Sequence, residues 1–330
     1  MDFLLISFYL HVHQAVKYLL WPFSLLYGGM MWLRNLAFDI GIFRSKKYDV
    51  TTVVVGNIRV GGTGKTPMIA HLIQALKEDY NVAVLSRGYG RKTKGFYWVH
   101  TFDKAEKVGD EPLMLKQRFE GTLVAVCENR REGIERILYE QPLVNVILMD
   151  DAFQHRWVKA RLSILLTTYD KPFFKDHPFP MGMLREFRRG YKRADAVVVT
   201  KCPEEYSSED FRSYLRSKPL FFSHLDYVQL THKDIYGFSG IAESELFKRH
   251  LSDNYNLQGF KDYGDHYDYS QSDLNYLIQQ AGGSTLVCTR KDMVKMENFD
   301  GSDQIEVLDV DMDFDSDNEF IYWVRNQIDK

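Results

Sequence analysis

The sequence has few cysteines and little net charge. Three cysteines occur among 330 residues, and their wide separation excludes the clustered spacing of a disulfide framework or a zinc site. We expect them to be buried apolar side chains in a reducing compartment. Because 42 basic side chains are balanced by 45 acidic ones and the formal net charge is −3, composition gives no general case for nucleic acid binding, and we predict no nucleic-acid partner.

A long uninterrupted apolar run is also missing. The run from Tyr18 to Leu33 is shorter than the ~20 residues that a free-standing membrane span requires, and Pro22 interrupts it. No basic leader with a small-residue cleavage site precedes it, which argues against a signal peptide. Aromatic residues within the run and basic residues after it favour a helix at a membrane interface, with a buried core helix as the alternative. We predict that residues 1–36 associate with a membrane and that the body of the protein lies on its cytoplasmic side.

From residue 50 onward, strand-like and helix-like patterns alternate. Val50–Val55 is a β-branched run typical of a strand that is covered on both faces. The segment after Pro67 places its apolar residues on one helical face. Further strand-like runs occur at 82–85, 123–126, 144–149, 163–167 and 196–200. The alternation predicts an α/β fold, a mostly parallel and doubly wound sheet with helices on both faces.

A change of composition suggests a second domain. Residues 203–218 are polar and charged, and a smaller set of strand and helix patterns follows them. We predict a core domain over residues 37–215 and a smaller C-terminal α/β domain over residues 216–330. Within the second domain, the aspartate-rich stretch Asp309–Asp317 predicts a solvated loop.

A glycine-rich loop, Gly61-Gly62-Thr63-Gly64-Lys65-Thr66, lies between the first strand pattern and the helix that begins near Pro67. Its glycines allow backbone N–H groups to surround phosphate oxygens, and the helix directs its positive end to the same anion. Lys65 supplies a charge for the β- and γ-phosphates, and the Thr66 hydroxyl is a Mg²⁺ ligand. The usual Walker A spacing would place a further glycine where Arg59 stands. The loop is therefore a variant P-loop of a P-loop NTPase-type fold, and it predicts nucleotide binding.

A second phosphate-site motif follows the strand pattern Val144–Met149. Asp150 and Asp151 come at its end, and an open α/β sheet binds its ligands at the carboxyl ends of its strands. The pair is typical of a Walker B motif, in which a carboxylate holds Mg²⁺ directly or through water. We predict Asp150 and Asp151 as metal residues, with either one as the direct ligand.

Two classes of protein use such a nucleotide site. One is a switch or motor, a GTPase or a partitioning-type ATPase without a small-molecule acceptor. The segment Thr200–Pro203 resembles the guanine-reading element at a strand end, but Pro203 stands where that element needs an aspartate. The segment Thr289–Asp292 lacks the required spacing as well. The other class is a small-molecule kinase, which needs an acceptor site and a base near the acceptor hydroxyl.

Three segments are candidates for that acceptor site. Gly109–Pro112 places two carboxylates at a helix start, where a helix cap is the alternative interpretation. Asp262–Tyr267 sets a histidine in an acidic and aromatic turn, and an ordinary surface loop is its alternative. Pro180–Arg193 is a dense basic cluster that suits phosphate recognition, or else a solvated surface.

Taken together, these motifs resemble those of the tetraacyldisaccharide 4′-kinase family, the lipid A 4′-kinases of Gram-negative bacteria. The likeness extends from about residue 50 to about residue 295. Two positions depart from the family pattern, since Ala152 replaces a glycine of the DDGFQH motif and Phe187 replaces the proline that usually follows PxGxLRE. The matching segments, in chain order, are the glycine-rich loop, Ser86–Arg91, Gly109–Pro112, Asp150–Arg156, Pro180–Glu186, Asp265–His266 and Thr289–Asp292.

The resemblance implies a kinase that transfers the γ-phosphate of ATP, with Mg²⁺, to the 4′-hydroxyl of a tetraacyldisaccharide 1-phosphate at the cytoplasmic face of the inner membrane. It also implies that the smaller domain closes over the site and that the apolar N-terminus contacts the membrane. By the same resemblance, Asp110 is the base, His266 orients or tunes it, and Lys65 takes part in catalysis. The metal residues that it implies are Thr66, Asp150, Asp151 and Glu186. The residues that it implies near the substrate are Arg87, His155, Arg185, Arg188 and Arg189.

Overall fold

The computed structural model describes residues 19–330 of the chain. Its first element is the helix α1 (Trp21–Asp39), after which strands and helices alternate. Most of the apolar run from Tyr18 to Leu33 therefore belongs to α1. The earlier part of the predicted membrane segment, residues 1–18, lies outside the described residues.

Within residues 19–330, nine strands form the larger of two sheets. They are β1 (Thr51–Asn57), β2 (Val82–Ser86), β3 (Tyr97–Trp98), β4 (Leu123–Val126), β5 (Val146–Asp150), β6 (Leu162–Thr168), β7 (Ala196–Thr200), β8 (Leu220–Tyr227) and β13 (Val310–Phe314). Their spatial order is β13-β8-β7-β6-β1-β5-β2-β4-β3. Neighbouring strands run parallel except at the two edges, where β13 pairs antiparallel with β8 and β3 pairs antiparallel with β4. The predicted mostly parallel sheet is confirmed.

Helices cover both faces of this sheet because its central strands are apolar on both faces. In β1, Val53 and Val55 belong to one core cluster and Val54 belongs to the other, as the alternation of side chains along a strand requires. The helices that pack on the Val53 face are α2 (Lys65–Leu76), α4 (Asp110–Arg118), which the short α3 (Ala105–Val108) precedes, and α10 (Asp317–Ile328). The helices that pack on the opposite face are α5 (Arg130–Glu140) and α6 (Glu209–Tyr214).

The smaller sheet has four parallel strands. They are β9 (Asp234–Ser239), β10 (Asn256–Asp262), β11 (Thr285–Thr289) and β12 (Ile305–Leu308), in the spatial order β10-β9-β11-β12. The two longer helices that cover its faces are α7 (Ser244–Asn254) and α8 (Gln271–Ala281), and the short α9 (Arg290–Met293) follows β11. This small domain occupies the chain between β8 and β13.

The predicted domain boundary at residue 216 differs from this arrangement. Strand β8 belongs to the large sheet, and the chain returns to that sheet in β13 after the small domain. The stretch Asp309–Asp317, which predicted a solvated loop, contains this strand, because Met312 and Phe314 are buried between exposed aspartates. Alternation of apolar and acidic residues is the period of a half-buried strand. The small domain is thus inserted into the core domain instead of following it.

Candidate active site

The glycine-rich loop connects the end of β1 to the start of α2, at the carboxyl edge of the large sheet. Two hydrogen bonds fix it there: Asn57 Nδ2 donates to Thr63 Oγ1 over 2.7 Å, and Thr200 Oγ1 donates to Thr63 O over 3.0 Å. Gly64 has a φ of 80°, a left-handed value that glycine adopts without strain. The loop is therefore held between the ends of β1 and β7, with the N-terminus of α2 directed at it, as an anion site requires.

Arg59, which stands where Walker A loops have their first glycine, anchors the loop to a neighbouring segment. Its Nε donates to Asp176 Oδ2 over 3.1 Å, and the backbone of Val60 donates to Met183 O over 2.8 Å. The segment that receives these bonds leads directly into the predicted basic cluster. The variant glycine-rich loop is thus tied to that cluster on its outer side.

Asp150 lies at the end of β5, the strand beside β1, and is 1% exposed. Ser86 Oγ donates to Asp150 Oδ2 over 3.1 Å, whereas Oδ1 has no hydrogen-bond partner among residues 19–330. Burial, with added repulsion from the carboxylates of Glu111 and Asp151, raises the pKa of Asp150 to about 7. Asp150 is therefore a carboxylate that a bound cation would stabilise.

Asp151, the next residue, has cationic neighbours. Arg185 Nη1 donates to Asp151 Oδ1 over 2.8 Å, and Lys65 Nζ lies 3.8 Å from the same oxygen. Burial acts to raise the pKa of Asp151, but the charges of Lys65 and Arg185 outweigh it and hold the pKa below its ordinary value. Lys65, Asp151 and Arg185 thus form one connected group of charges at the glycine-rich loop.

Asp110 and His266, which are 156 residues apart in the sequence, lie in direct contact. His266 Nδ1 is 2.9 Å from Asp110 Oδ2, and Asp110 is 5% exposed. Asp110 is the first residue of α4, and the backbone N–H of Glu111 donates to its Oδ1 over 3.0 Å. The residue at the cap position is Gly109, so Asp110 does not serve as the helix cap that was its alternative interpretation.

Two lysines from the small domain complete the surroundings of Asp110. Lys295 Nζ is 3.6 Å and Lys291 Nζ is 3.9 Å from Asp110 Oδ2. Burial alone would raise the pKa of Asp110, but the hydrogen bond from His266 and the charge of Lys291 outweigh burial and lower the pKa to about 2. Asp110 is therefore a buried carboxylate that stays ionised.

The turn that carries Asp110 packs closely on the loop that follows β2. Gly109 has a φ of 93°, and a Cβ added there would lie 3.1 Å from the Cα of Gly88. The Tyr89 side chain of the same loop has its ring centroid 5.1 Å from that of His266. Ser86, at the end of β2, contacts Asp150. Residues at and just after the carboxyl end of β2 thus contact both the Asp110–His266 pair and the Walker B aspartate Asp150.

The five predicted substrate residues do not form one cluster. Arg87 and His155 line the same cleft, which has a volume of about 670 Å³. Arg185 instead contacts Asp151, the Arg188 Nε donates to the backbone of Asp176 over 2.6 Å, and Arg189 is exposed. The other residues that line the cleft are Glu128, Asn129, Arg131, Glu132, Glu135 and Trp157.

His155 is neutral in this cleft. Burial and the charges of Arg130 and Arg34 lower its pKa to about 4. Its Nε2 is buried and has no hydrogen-bond partner in the part of the chain that the structure describes. A neutral imidazole with a free ring nitrogen beside Arg87 can donate to or accept from a ligand, depending on its tautomer.

Glu186, which is a predicted metal residue, accepts four side-chain hydrogen bonds. Arg193 donates to both oxygens over 2.8 Å, Asn35 Nδ2 donates to Oε2 over 2.8 Å, and Gln154 Nε2 donates to Oε1 over 3.1 Å. These four bonds use the four acceptor positions of a carboxylate. Glu186, which is 2% exposed, therefore connects α1 to the core domain.

One side of α1 is bound to the core domain. Ser24 Oγ donates to Pro178 O over 2.5 Å, Tyr27 Oη donates to Arg185 O over 3.0 Å, and Gly28 packs against the ring of Phe187. The opposite side is apolar and exposed. The exposed apolar residues of α1 and its flanks are Leu19, Trp21, Phe23, Leu25, Leu26, Met30, Trp32, Leu33, Ile40, Ile42 and Phe43.

Residues 19–330 lack two features, a membrane-spanning helix and a clustered metal site. None of the helices there is both long enough and apolar enough to cross a membrane. In the same part of the chain, no group of three or more histidine, cysteine, aspartate or glutamate side chains is arranged to hold a metal ion.

Several residues of the site were missed by sequence reasoning. Lys291 belongs to the segment Thr289–Asp292, which matches a family element, but the sequence predicted no role for this lysine. Lys295 lies outside that element. Asn57 and Ser86 follow apolar strand runs directly, and a polar residue at the carboxyl end of a parallel strand is the signal that could have identified them. No local sequence pattern identifies the two lysines, because their contacts with Asp110 join distant parts of the chain.

Comparison with known proteins places the chain in a family. A family model described as tetraacyldisaccharide-1-P 4′-kinase matches residues 16–329. The tetraacyldisaccharide 4′-kinase of Flavobacterium johnsoniae is 38% identical over 324 residues, which cover 91% of this chain and 94% of that protein. The corresponding protein of Cytophaga hutchinsonii is 39% identical over 300 residues, which cover 85% and 86%.

The fold has a solved counterpart as well. The crystal structure of LpxK from Aquifex aeolicus in complex with ATP matches this structure with a TM-score of 0.78 and 27% sequence identity, over 95% of this chain and 99% of that one. The family model and the relatives match most of the chain, and the solved structure has the same fold. The chain belongs to the tetraacyldisaccharide-1-P 4′-kinase family.

Proposed function

We propose that this protein transfers the γ-phosphate of ATP to the 4′-hydroxyl of a tetraacyldisaccharide 1-phosphate, a step of lipid A biosynthesis. The observation that carries the proposal is the contact of 2.9 Å between Asp110 and His266 beside a phosphate-binding loop. An acceptor hydroxyl requires a base near it, in addition to the groups that bind the nucleotide. The names of the relatives supply the acceptor class.

ATP would bind at the carboxyl edge of the large sheet. The backbone N–H groups of Gly61–Gly64 and the start of α2 would face the phosphates, with Lys65 beside the β- and γ-phosphates. Lys65 is held near this position by Asp151, at 3.8 Å. A solved relative binds ATP, which supports ATP as the phosphoryl donor.

The residues at this edge also fit Mg²⁺. Asp150 Oδ1 is a buried carboxylate oxygen without a partner among the described residues, and Asp151 follows it directly. Thr66 lies in the first turn of α2, the helix that follows β1, and β1 pairs with the strand that ends at Asp150. Magnesium commonly takes one or two protein carboxylates and completes its coordination with phosphate oxygens and water. When bound, the ion would neutralise charge that develops on the phosphates. We leave Glu186 out of this set because its oxygens accept four side-chain hydrogen bonds.

Asp110 would accept the proton of the 4′-hydroxyl as the new oxygen–phosphorus bond forms. Its pKa of about 2 keeps it ionised at neutral pH. In the loose transition state of phosphoryl transfer the proton leaves late, so orientation of the hydroxyl matters more than the strength of the base. His266 holds Asp110 in place through the 2.9 Å contact.

The acylated substrate would reach the site from a membrane surface. The exposed apolar side of α1 suits insertion into the interface, and Arg188 and Arg189 directly follow Phe187, which packs on Gly28 of α1. Arginine side chains next to an apolar helix can bind anionic head groups. We place the protein at the cytoplasmic face of the inner membrane, with Arg87 and His155 available for the polar part of the substrate.

An acceptor-dependence assay tests this function. With labelled ATP and the purified full chain, we expect label to appear in the lipid only when the disaccharide 1-phosphate is present, and ATP consumption to rise with acceptor concentration. A disaccharide that carries no free 4′-hydroxyl is the matched control and should accept no label. ATP loss that ignores the acceptor would contradict the proposal.

A further inference from the structure

Lys291 is a half-buried lysine that contacts both members of the catalytic pair. Its Nζ lies 3.4 Å from His266 Nε2 and 3.9 Å from Asp110 Oδ2. Asp265 Oδ1, at 3.2 Å, and Glu111 Oε1, at 3.7 Å, complete its surroundings. Burial acts to lower the pKa of Lys291, but the carboxylates of Glu111 and Asp110 outweigh it and raise the pKa. The side chain is therefore a charged ammonium, which can donate hydrogen bonds but cannot accept them.

Two neighbours with fixed hydrogen-bond roles determine where His266 carries its proton: the ionised Asp110 carboxylate can only accept, and the Lys291 ammonium can only donate. Because Lys291 can only donate, His266 Nε2 must be the acceptor of this contact. The proton of the neutral ring then sits on Nδ1, which donates to Asp110 Oδ2 over 2.9 Å. Asp265 Oδ2 lies 3.8 Å from Nε2, which is too far for a hydrogen bond that would favour a proton there.

We propose that Lys291 is a positioning residue that keeps His266 Nε2 unprotonated, so that the ring carries its proton on Nδ1 alone and holds the Asp110 carboxylate in position for the acceptor hydroxyl. The inference rests on the proposed kinase function. None of the observations on which the kinase function rests involves this lysine. His266 is in a strained backbone conformation with a φ of 59°, as is expected where a ring must be held in one orientation.

The tautomer also decides which oxygen of Asp110 receives the proton. Oδ2 accepts from His266 and faces the ammonium groups of Lys291 and Lys295. Oδ1 accepts only the backbone N–H of Glu111, among the described residues, so its second acceptor position is the one for the hydroxyl. The hydroxyl proton passes to Oδ1, the new oxygen–phosphorus bond forms, and the bond from the γ-phosphorus to the bridging oxygen of the leaving ADP breaks. Lys291 neither gains nor loses a proton in this step.

Lys295 provides a matched control within the same site. Its Nζ lies 3.6 Å from Asp110 Oδ2, slightly nearer than that of Lys291, and donates to Tyr267 O over 3.0 Å. The structure gives it no hydrogen bond to His266 among the contacts of residues 19–330. Lys295→Met therefore removes a charge near Asp110 and leaves the tautomer control in place, whereas Lys291→Met removes both.

Nitrogen NMR of the histidine rings tests the tautomer directly. In full-length protein with ¹⁵N-labelled histidine, and with the His266 signal identified by its loss in His266→Gln, we expect Nε2 to be unprotonated and Nδ1 to carry the proton at neutral pH. In Lys291→Met we expect Nε2 to gain a proton, because Asp265 is then the nearest charged group to it. In Lys295→Met we expect the wild-type signal. A wild-type ring that is protonated on Nε2, or an unchanged ring in Lys291→Met, would overturn the proposal.

Turnover measurements give a second readout. We expect Lys291→Met to lower kcat by about 10²-fold, with the KM for ATP changed less than about threefold, and Lys291→Arg to recover most of that loss because arginine also donates. Lys295→Met should lower kcat by less than about tenfold. The titratable groups that face Asp110 are His266 in the loop after β10, Lys291 and Lys295 of the small domain, and Glu111 on its own helix. Loss of either lysine removes a positive charge near Asp110 and should move the acid limb of the pH–rate profile to higher pH.

Equal kcat values for the two methionine variants, or no recovery in Lys291→Arg, would overturn the proposal. The wild-type spectrum needs no variant other than the assignment control, so the tautomer can be tested even if the lysine variants fail to fold. The spectrum is also independent of turnover. A protein without acceptor-dependent activity but with the expected tautomer would refute the kinase function alone, and an active kinase with the opposite tautomer would refute only the role of Lys291.

Discussion

The two halves of the active site are built in different ways. The nucleotide half, with Lys65, Asp150 and Asp151, comes from neighbouring parallel strands of one sheet. The acceptor half joins Asp110 of the core domain to His266 of the inserted small domain. The first half needs only the large sheet, whereas the second exists only when the two domains are in contact. ATP binding and phosphoryl transfer should therefore be separable by mutation.

The two halves also differ in their electrostatics. Asp150 and Asp110 are both buried aspartates, yet the pKa of Asp150 is raised to about 7 and that of Asp110 is lowered to about 2. Desolvation acts in the same direction on both. The difference arises because Asp150 has the carboxylates of Glu111 and Asp151 nearby, whereas Asp110 has a histidine and two lysines.

Removing the phosphate-loop lysine should have the largest effect. We expect Lys65→Met to lower kcat/KM by about 10³-fold and to weaken ATP binding, because its charge is lost where negative charge develops. Steady-state turnover and calorimetric titration with ATP measure the two effects. Lys77→Met is the control, since Lys77 is an exposed residue at the other end of α2. Wild-type turnover in Lys65→Met would contradict the assignment of the loop.

Substitution in the acceptor half should separate chemistry from binding. We expect Asp110→Asn to lower kcat by about 10²-fold, because an amide cannot take the hydroxyl proton. The dissociation constant for ATP should change less than about twofold, since the nucleotide half is untouched. The exposed Asp303 supplies the control substitution, Asp303→Asn. Normal turnover in Asp110→Asn, or an equal loss of ATP binding, would show that the two halves are not separable.

The apolar side of α1 should affect use of the lipid more than use of ATP. For the double variant Leu26→Ser and Trp32→Ser we expect about a tenfold rise in the KM for the lipid acceptor in vesicles, from the loss of buried apolar area in the interface. Vesicle sedimentation should show weaker binding. The control is the double variant Tyr139→Ser and Leu143→Ser, which removes two apolar residues elsewhere that are even more exposed. Equal sedimentation of both variants would refute the membrane role of α1.

The smallest expected effects concern stability, and they have opposite signs in the two halves. Because the folded-state pKa of Asp150 is raised, its contribution to the free energy of unfolding falls as the pH rises from about 4 to about 7. Asp150→Asn should therefore raise the melting temperature of the metal-free protein at pH 7. The folded-state pKa of Asp110 is lowered, so its contribution is present above about pH 4 and is lost as the pH falls towards 2. Asp110→Asn should lower the melting temperature at pH 7.

Each pKa unit corresponds to about 1.4 kcal/mol, so thermal unfolding in the presence of a chelator can resolve the two shifts. Measurement at pH 4 and at pH 7 supplies the internal control, since the gain in Asp150→Asn should shrink at the lower pH. Shifts of the same sign in both variants would mean that burial dominates at both aspartates.

The nucleotide half was largely predictable from the sequence. Short apolar runs predicted β1, β2, β4 and β5 close to their observed bounds, because strands buried on both faces are apolar almost throughout. The glycine-rich loop and the two aspartates that follow β5 could then be placed at one edge. The choice of a kinase over a switch protein, which the motifs favoured, is confirmed by family membership.

The acceptor half was less predictable because its contacts join distant segments. From local patterns alone, Asp110 could also be a helix cap and His266 part of an ordinary surface loop. Only the family resemblance connected the two residues. Lys291 lies in the matching segment Thr289–Asp292, but the sequence predicted no role for it. Glu186 stays a predicted metal residue, and local sequence could not show that Asn35, which is 151 residues away, donates to its Oε2. Strand β13 was missed because its partner β8 lies on the far side of an inserted domain.

That inserted arrangement has a consequence for how the protein is made. Met312, in β13, contacts the phosphate loop so closely that its Cε would lie only 2.8 Å from a Cβ on Gly64. A side chain near the end of the chain thus packs against a loop near its beginning. Ribosomes add about 5–20 residues per second, and folding generally starts from the N-terminus. Synthesis of the chain must therefore be almost finished before Met312 can pack against the phosphate loop. A chain that is truncated before β13 lacks this part of the ATP site.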